Sequence, residues 1–415
     1  MNRNFNQLSV AYAVSLVGDW LYKLALPLLI YQYTGSAFYM ALTYGVTYIP
    51  SILFTIIGGI AADTFDKKKV LVLGDAFSAV VLLLLFTMLS IGAHNPVMMM
   101  FFAFFLSTAS AFYYSSHQSI IPEIVPDEQY TSAIARFRMI DNMVLILGPP
   151  LSAIVIAFVS AEIAILVNGL SFLLSAIIIQ LISRQPPQIS VIKISDFIRF
   201  DNIQQKSIEG MRIAFSIPLI RRACCVFILV NIAISLFFSN FIFVLKSEYQ
   251  LAEAQIGLVY SLIGIGAFCG SFVSKLILKR LAEYQTIMLS TALSMCLCLG
   301  LYFSSHYLQT ALFWALITFC NAITIVSYFT LRQKLVPKDK LGIVVSITRT
   351  MVILCIPIGS VAGGYLIGLL MSSKPLILIS LGLMLMATIY GVLGLFSGEQ
   401  SPQDESLNDQ AKEGM

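Results

Sequence analysis

Gly58-Gly59-Ile60-Ala61-Ala62-Asp63-Thr64-Phe65-Asp66-Lys67-Lys68-Lys69 stands between two apolar runs, about 37–62 and 70–92. Each run is longer than the roughly 20 mostly apolar residues a helix needs to cross the hydrocarbon core. Two such runs joined by a short charged turn read as a transmembrane hairpin. The three lysines mark the turn as cytosolic, because Lys and Arg concentrate on that side. Ten further runs extend the pattern along the chain: about 8–32, 97–121, 131–158, 162–183, 222–245, 254–278, 285–304, 308–331, 341–370 and 375–396. They are too long for outer-membrane barrel strands, which take about ten alternating residues. The first run carries Asp19 and Lys23 and lacks a small-residue cleavage site, so it reads as a span and not as a signal peptide. The expected fold is an all-α membrane protein with twelve transmembrane helices.

Composition excludes the alternatives. Of 415 residues, 58% are hydrophobic and only 11% charged, against about 25% charged in a soluble domain. A water-soluble enzyme could not bury so much apolar surface, and a disordered chain would not carry it. The net charge of +4 comes from 25 basic and 21 acidic residues, which is no reservoir for nucleic acid. The seven cysteines, Cys224, Cys225, Cys269, Cys296, Cys298, Cys320 and Cys355, fall in or beside apolar runs. They read as small buried hydrophobes. No nucleophile triad, metal-ligand spacing or phosphate loop is visible, so no enzyme activity, metal or cofactor is expected.

The basic residues orient the chain. Lys67, Lys68 and Lys69 follow span two. Arg184, Lys193, Arg199, Lys206, Arg212, Arg221 and Arg222 lie between spans six and seven. Lys279 and Arg280 follow span eight, and Lys334, Lys338 and Lys340 follow span ten. The opposite loops offer only Lys246 and Lys374. Both termini are therefore expected in the cytosol.

A second regularity doubles the architecture. Gly59 recurs as Gly270, Lys68-Lys69 as Lys279-Arg280, Pro126 as Pro337, Arg138 as Arg349 and Gly148 as Gly359, all at one constant offset. Parallel repeats of six spans are a transporter signature. The chain divides into a six-helix half over 1–183, a linker over 184–221, a second six-helix half over 222–396 and a polar tail over 397–415. The linker mixes Ile192, Ile194, Phe197, Ile198 and Phe200 with charges, then Ile208, Met211, Ile213 and Phe215 around Glu209 and Arg212. It reads either as short amphipathic helices on the inner leaflet or as a plain tether.

The 58–69 segment resembles the signature between helices two and three of the major facilitator superfamily. Asp63 and the lysines match, whereas Thr64 and Asp66 replace the usual arginine and glycine. Gly148-Pro149-Pro150 in span five is similar to the Gly-Pro signature of antiporters in that superfamily, with Pro357-Ile358-Gly359 as its repeat mate. Val17-Gly18-Asp19-Trp20-Leu21-Tyr22-Lys23, Tyr33-Thr34-Gly35-Ser36, Ile121-Pro122 with Val125-Pro126, Glu209-Gly210 before Pro218, and Gln333 before Val336-Pro337 look like the macrolide-efflux and enterobactin-exporter branch. The resemblance implies two rocking halves around a midplane site. It also implies a gating or structural role for Gly59, Asp63, Lys67, Lys68 and Lys69.

Charges inside the spans are costly, about 2.5–3.5 kcal/mol each at a helix centre. Asp19 and Lys23 are four apart on one face of span one, either as an internal pair or as a proton or cation site. Arg138 and Asp141 are three apart on span five. Arg138 has the repeat mate Arg349, which suggests a structural task. Asp141 has none, so it joins Asp19 as a proton-coupling candidate. Asp75 is expected to pair with the lysine turn. Polar stripes mark a substrate cavity. Span one offers Tyr12, Ser15, Tyr22 and Lys23, and span four offers Ser107, Ser110, Tyr114, His117 and Gln118. Span seven offers Asn231 and Ser235, and span ten Asn321, Thr324 and Tyr328. Span two departs from the pattern by carrying Tyr44, Thr47, Tyr48 and Ser51.

These readings converge on a secondary transporter of the bacterial cytoplasmic (inner) membrane, a monomer exporting a bulky amphipathic small molecule (drug, siderophore or metabolite) in exchange for protons. The alternatives are a lysophospholipid or siderophore mover of the same fold, and a non-transporting membrane receptor.

Overall fold

In a membrane, backbone N–H and C=O groups have no water to turn to, so each spanning segment must satisfy its own. The computed structural model does this with helices throughout. It describes residues 3–126, 129–183, 208, 210–336 and 341–396; side chains at 55–56, 59–64, 130–131, 341–343 and 346 lie outside this description. The helices are α1 (Arg3–Thr34), α2 (Ala37–Val46), α3 (Ile49–Thr64), α4 (Lys67–Ser90), α5 (Pro96–Ile124), α6 (Tyr130–Phe158) and α7 (Ala161–Gln180). After them come α8 (Pro218–Phe238), α9 (Phe241–Ser247), α10 (Glu253–Ile277), α11 (Glu283–Tyr302), α12 (Tyr307–Leu335), α13 (Leu341–Leu370) and α14 (Lys374–Phe396). No strand occurs among the described residues.

Twelve spans result, as expected, because α2 and α3 together make span two and α8 and α9 together make span seven. Span two breaks at Thr47-Tyr48 and span seven at Ser239-Asn240. The break in span seven falls beside Phe238, the repeat mate of Pro27 inside α1.

Short polar residues start the helices. The Asp66 carboxylate accepts the backbone N–H groups of Lys68 (2.9 Å) and Lys69 (3.3 Å) at the head of α4. Asn95 does the same for α5, with Pro96 at the first helical position, and Ser160 caps α7. Such caps satisfy N–H groups that lack an intrahelical acceptor.

Two compact units make up the chain. The first comprises Met1–Arg199, Phe238–Ile265 and Ser360–Ser373. Within it α1 packs on α7 and α6, and α4 lies between α5 and α7. Its core joins Phe5, Leu8, Leu71, Ile120, Ile124, Phe137 and Ile179. The second comprises Phe200–Phe237, Gly266–Gly359 and Lys374–Met415. There α11 packs on α12 and α14, around Phe227, Val230, Tyr284, Ile287, Met288 and Tyr328. Gly270, the repeat mate of Gly59, lies so close to the Phe319 carbonyl that a Cβ would not fit. Gly59 and Asp63 themselves fall among the side chains outside the description.

Most of the linker, 184–207, and the tail, 397–415, also lie outside the described residues. At the end of the linker, 210–216 is helical, with Ala214 buried and Ile213 and Phe215 packed beside it. Four cysteines are buried as expected. Cys225 is half-buried, and Cys269 on α10 and Cys296 on α11 are exposed, against the expectation of burial.

Candidate functional site

The site begins on α1. Asp19, Tyr22, Lys23 and Leu26 recur at three- and four-residue spacing, so they share one helix face. That face borders a cavity of about 460 Å³ lying within the first unit, inside the range of small-molecule pockets. Opposite α1 stand Met40, Thr43 and Tyr44 of α2, Thr47 and Tyr48 at its break, and Ser51 of α3. Leu106, Ser107 and Ser110 of α5 complete one side, and Phe238, Ser239, Ile242 and Tyr260 the other.

The walls are largely aromatic. Trp20, Tyr44, Tyr48, Phe238 and Tyr260 line the space, the Tyr44 and Tyr48 hydroxyls are 3.0 Å apart, and Phe238 meets Tyr44 and Tyr260 at ring-centroid distances of 6.4 and 6.0 Å. The break in span two places Tyr44 and Tyr48 there. α2 ends where the Thr47 hydroxyl turns back to donate to the Tyr44 carbonyl at 2.6 Å. What looked like an imperfection in the polar pattern of span two is therefore part of the cavity wall.

Two charges open onto this space. Among the described residues Asp19 makes no ion pair and no hydrogen bond, and Lys23 does not reach it. The lysine Nζ instead sits over the Trp20 ring, 5.4 Å from its centroid. The expected internal Asp19–Lys23 pair is not formed, because an aromatic face draws the ammonium away. Trp20 is seated by Gly148: a Cβ there would lie 2.5 Å from the indole Cδ1. Gly148-Pro149-Pro150 thus makes room for a cavity wall besides removing two backbone donors from α6, which runs on as helix to Phe158.

A second polar group lies on α1, α5 and α6. The Tyr12 hydroxyl donates to Asp141 Oδ1 at 2.6 Å, and Arg138 Nη1 stands 3.5 Å from Asp141 Oδ2. The Arg138–Asp141 pair is therefore formed. The Tyr12 ring stacks on His117 with centroids 4.4 Å apart, and the buried His117 Nε2 has no hydrogen-bond partner among the described residues. Tyr114 and Gln118 are exposed on α5.

Asp75 is a correction. It does not meet the lysine turn. Lys67 pairs with Glu123 at 2.5 Å, and Lys68 donates to the carbonyls of Gln180, the last residue of α7, and of Ile182 just beyond it. Eight residues of α4 separate Asp75 from Lys67, about 12 Å of rise. At that depth Asp75 is 1% exposed, and the Ser175 hydroxyl donates to its Oδ2 at 2.6 Å.

In the second unit, Asn231 donates to the Phe227 carbonyl at 2.7 Å. Ser235 donates to the Asn231 carbonyl at 2.7 Å, and Thr324 to the Cys320 carbonyl at 3.1 Å. The Asn321 Oδ1 is buried without a donor among the described residues. Tyr328 is a core residue, 1% exposed and stacked on Phe227, not an open cavity wall. Arg349 is exposed on α13.

Sequence reasoning missed Arg332. It is 2% exposed, donates to the Thr348 hydroxyl at 2.6 Å and covers the Tyr328 ring at 4.5 Å. A basic residue four positions after a tyrosine near a helix end could have flagged it. Among the described residues no group of three His, Cys, Asp or Glu could hold a metal ion.

Comparison with known proteins places this geometry. The family model described as Major Facilitator Superfamily matches residues 8–360. Two uncharacterized MFS-type transporters of Bacillus subtilis (strain 168) are similar. YkuC is 26% identical over 180 residues, 43% of this chain and 41% of its own. YfiS is 25% identical over 187 residues, 43% and 42% respectively. The aligned part is thus about two fifths of the length of these relatives. Among solved structures, a bacterial homolog of the human lysosomal transporter Spinster matches with a TM-score of 0.75 at 12% identity, covering 96% of this chain and 98% of that one. A bacterial homologue of the iron transporter ferroportin gives 0.69 at 18%, covering 94% and 98%. The nucleoside transporter NupG gives 0.72 at 13%, covering 95% and 100%. At such identities the likeness is one of fold.

Proposed function

The chain belongs to the Major Facilitator Superfamily, and from that premise we propose that it is a proton-coupled secondary transporter that exports a bulky amphipathic small molecule across the bacterial cytoplasmic membrane. The observation that carries the reading is the cavity beside α1, where Asp19 and Lys23 face aromatic walls without pairing with each other. Aromatic faces offer broad apolar contact, and a few polar groups orient the ligand. An acid with no partner among the described residues can exchange a proton with the cavity, and the ammonium over Trp20 can meet an anionic or hydrogen-bonding part of the cargo.

In this mechanism Asp19 and cargo compete: protonation of Asp19 and departure of cargo accompany each other as access alternates. Asp141, held by Tyr12 and Arg138, is the second coupling candidate, and no residue performs covalent chemistry. The fold neighbours carry cargoes too different to choose among drugs, siderophores and lysolipids. The deciding experiment therefore uses proteoliposomes with an imposed proton gradient and separate arms of ethidium, a catecholate siderophore, lysophosphatidylcholine and divalent metal ions. Uphill accumulation is expected in one of the three organic arms. Asp19→Asn should abolish it while preserving downhill exchange. Gradient-driven accumulation that survives Asp19→Asn would remove Asp19 from the coupling role, and uptake confined to the metal arm would overturn the cargo class.

A further inference from the structure

A second carboxyl lies deeper in the same unit. Asp75 is 1% exposed on α4, and its one hydrogen bond among the described residues is from the Ser175 hydroxyl of α7 at 2.6 Å. Among the described residues no cation lies within ion-pair distance. Lys67 and Lys68 of its own helix are committed to Glu123 and to carbonyls near the end of α7. Tyr113 of α5 is buried, and its hydroxyl has no hydrogen-bond partner among the described residues. The charged group felt from α1 is Asp19. From α7 the polar neighbour is Ser175, which carries no charge, and on α3 the Asp63 side chain lies outside the described residues.

Scaffolding does not account for this acid. A structural carboxylate in a bilayer would be held by a cation or by several donors, and Asp75 has a single hydroxyl. The repeat sharpens the point. The mates of Asp19, Asp75 and Ser175 are Val230, Thr286 and Met386. Thr286 is buried and turns back on the Ala282 carbonyl at 2.9 Å. The other half thus makes the same six-helix plan with no ionisable group at any of the three positions.

Hydroxyls suit a group that changes protonation. They donate to a carboxylate, and they rotate to accept from a carboxylic acid. Ser15 lies one helical turn before Asp19 on the same face of α1, where its hydroxyl donates to the Tyr12 carbonyl at 3.1 Å.

We propose that Asp75 is a proton-holding group of the transport cycle, a second acid that takes up a proton when Asp19 gives one up and returns it when Asp19 is recharged. The O–H bond at the Asp19 carboxyl breaks as one forms at the Asp75 carboxylate. The Ser175 hydroxyl turns from donating to the carboxylate to accepting from the acid. Asp19 is left as a carboxylate and the total charge is unchanged. This inference rests on the proton-coupled reading above and places a second acid behind the cavity.

Its test is separable from that reading, because it needs no cargo. Infrared difference spectra of the protein in lipid vesicles, taken between acidic and alkaline buffers, resolve individual carboxyl C=O bands. Wild type should give a pH-dependent band that Asp75→Asn removes and that Asp19→Asn leaves in place but displaced along the pH axis. Ser175→Ala should change its frequency, since the hydrogen bond is lost, and this variant decides the matter if Asp75→Asn does not fold. With whichever of ethidium, the catecholate siderophore or lysophosphatidylcholine wild type accumulates, Asp75→Asn should slow gradient-driven movement at least about hundredfold, the low end for loss of a positioned proton-transfer group. Spectra that Asp75→Asn and Ser175→Ala both leave unchanged would overturn the proposal. If wild type accumulates none of the three, the cargo or coupling reading has failed, and the infrared bands still decide whether Asp75 takes up and releases a proton.

Discussion

Arg138 has 70% of its side chain exposed and its partner Asp141 33%, which changes what their substitution should do. Removing one member of a fully buried pair costs about 3–5 kcal/mol, but an exposed pair contributes only about 0–1 kcal/mol. Arg138→Met should therefore leave thermal stability in detergent nearly unaltered. Asp141→Leu should cost more, about 1–3 kcal/mol, because the part-buried Tyr12 hydroxyl loses its acceptor. If Asp141 only balances Arg138, the double variant recovers transport. If Asp141 carries a proton, the double variant folds and stays inactive. Equal destabilisation by the two single substitutions would contradict the role given to Tyr12. The charges were legible in the sequence, and so was the three-residue spacing of this pair. That Asp19 does not pair with Lys23 was not legible, because the competitor for the lysine is the neighbouring Trp20 ring, and rotamers decide between them.

Helix α6 shows how one motif acts at several places. Pro149 and Pro150 lack N–H groups, so the Leu145 and Ile146 carbonyls lose their intrahelical donors. Gly264 of α10 lies against the Leu145 carbonyl, and Gly257 against that of Pro149, where a Cβ would stand 2.7 and 3.1 Å away. Gly148, one residue earlier, faces Trp20. Gly148→Ala should overpack that contact and lower stability by about 1–3 kcal/mol. Trp20→Ala in the same chain should return much of it, since the colliding ring is gone. A double variant no more stable than Gly148→Ala in a thermal melt would show that the glycine serves another contact. The loss of two backbone donors within α6 was readable from Gly-Pro-Pro alone, whereas the helix itself continues through the motif. The identity of the ring that fills the space came from α1, more than a hundred residues away in sequence.

At the scale of the whole molecule the first expectation to check is orientation. The lysine turn at 67–69 and the loop at 91–95 lie at opposite ends of α4. In a chain with the seven cysteines replaced, a membrane-impermeant maleimide added to intact cells should label Ala93→Cys and not Lys69→Cys; both positions are exposed. The reverse pattern would invert the topology. Apolar run length alone places this chain in a bilayer with twelve crossings, and matching residues at one offset reveal its repeat. The crossings follow from the need of every buried backbone group for a partner within its own helix, which is a local property. Where the ionisable groups go is settled by packing between helices. Asp75 meets Ser175 instead of the lysine turn because it lies about 12 Å along α4 from Lys67, while Lys67 and Lys68 meet Glu123 and carbonyls near the end of α7. Tyr44 and Tyr48 line the cavity because span two breaks between them. A partner supplied by another helix is set by packing and by competition among donors, and neither is written in the spacing of one segment.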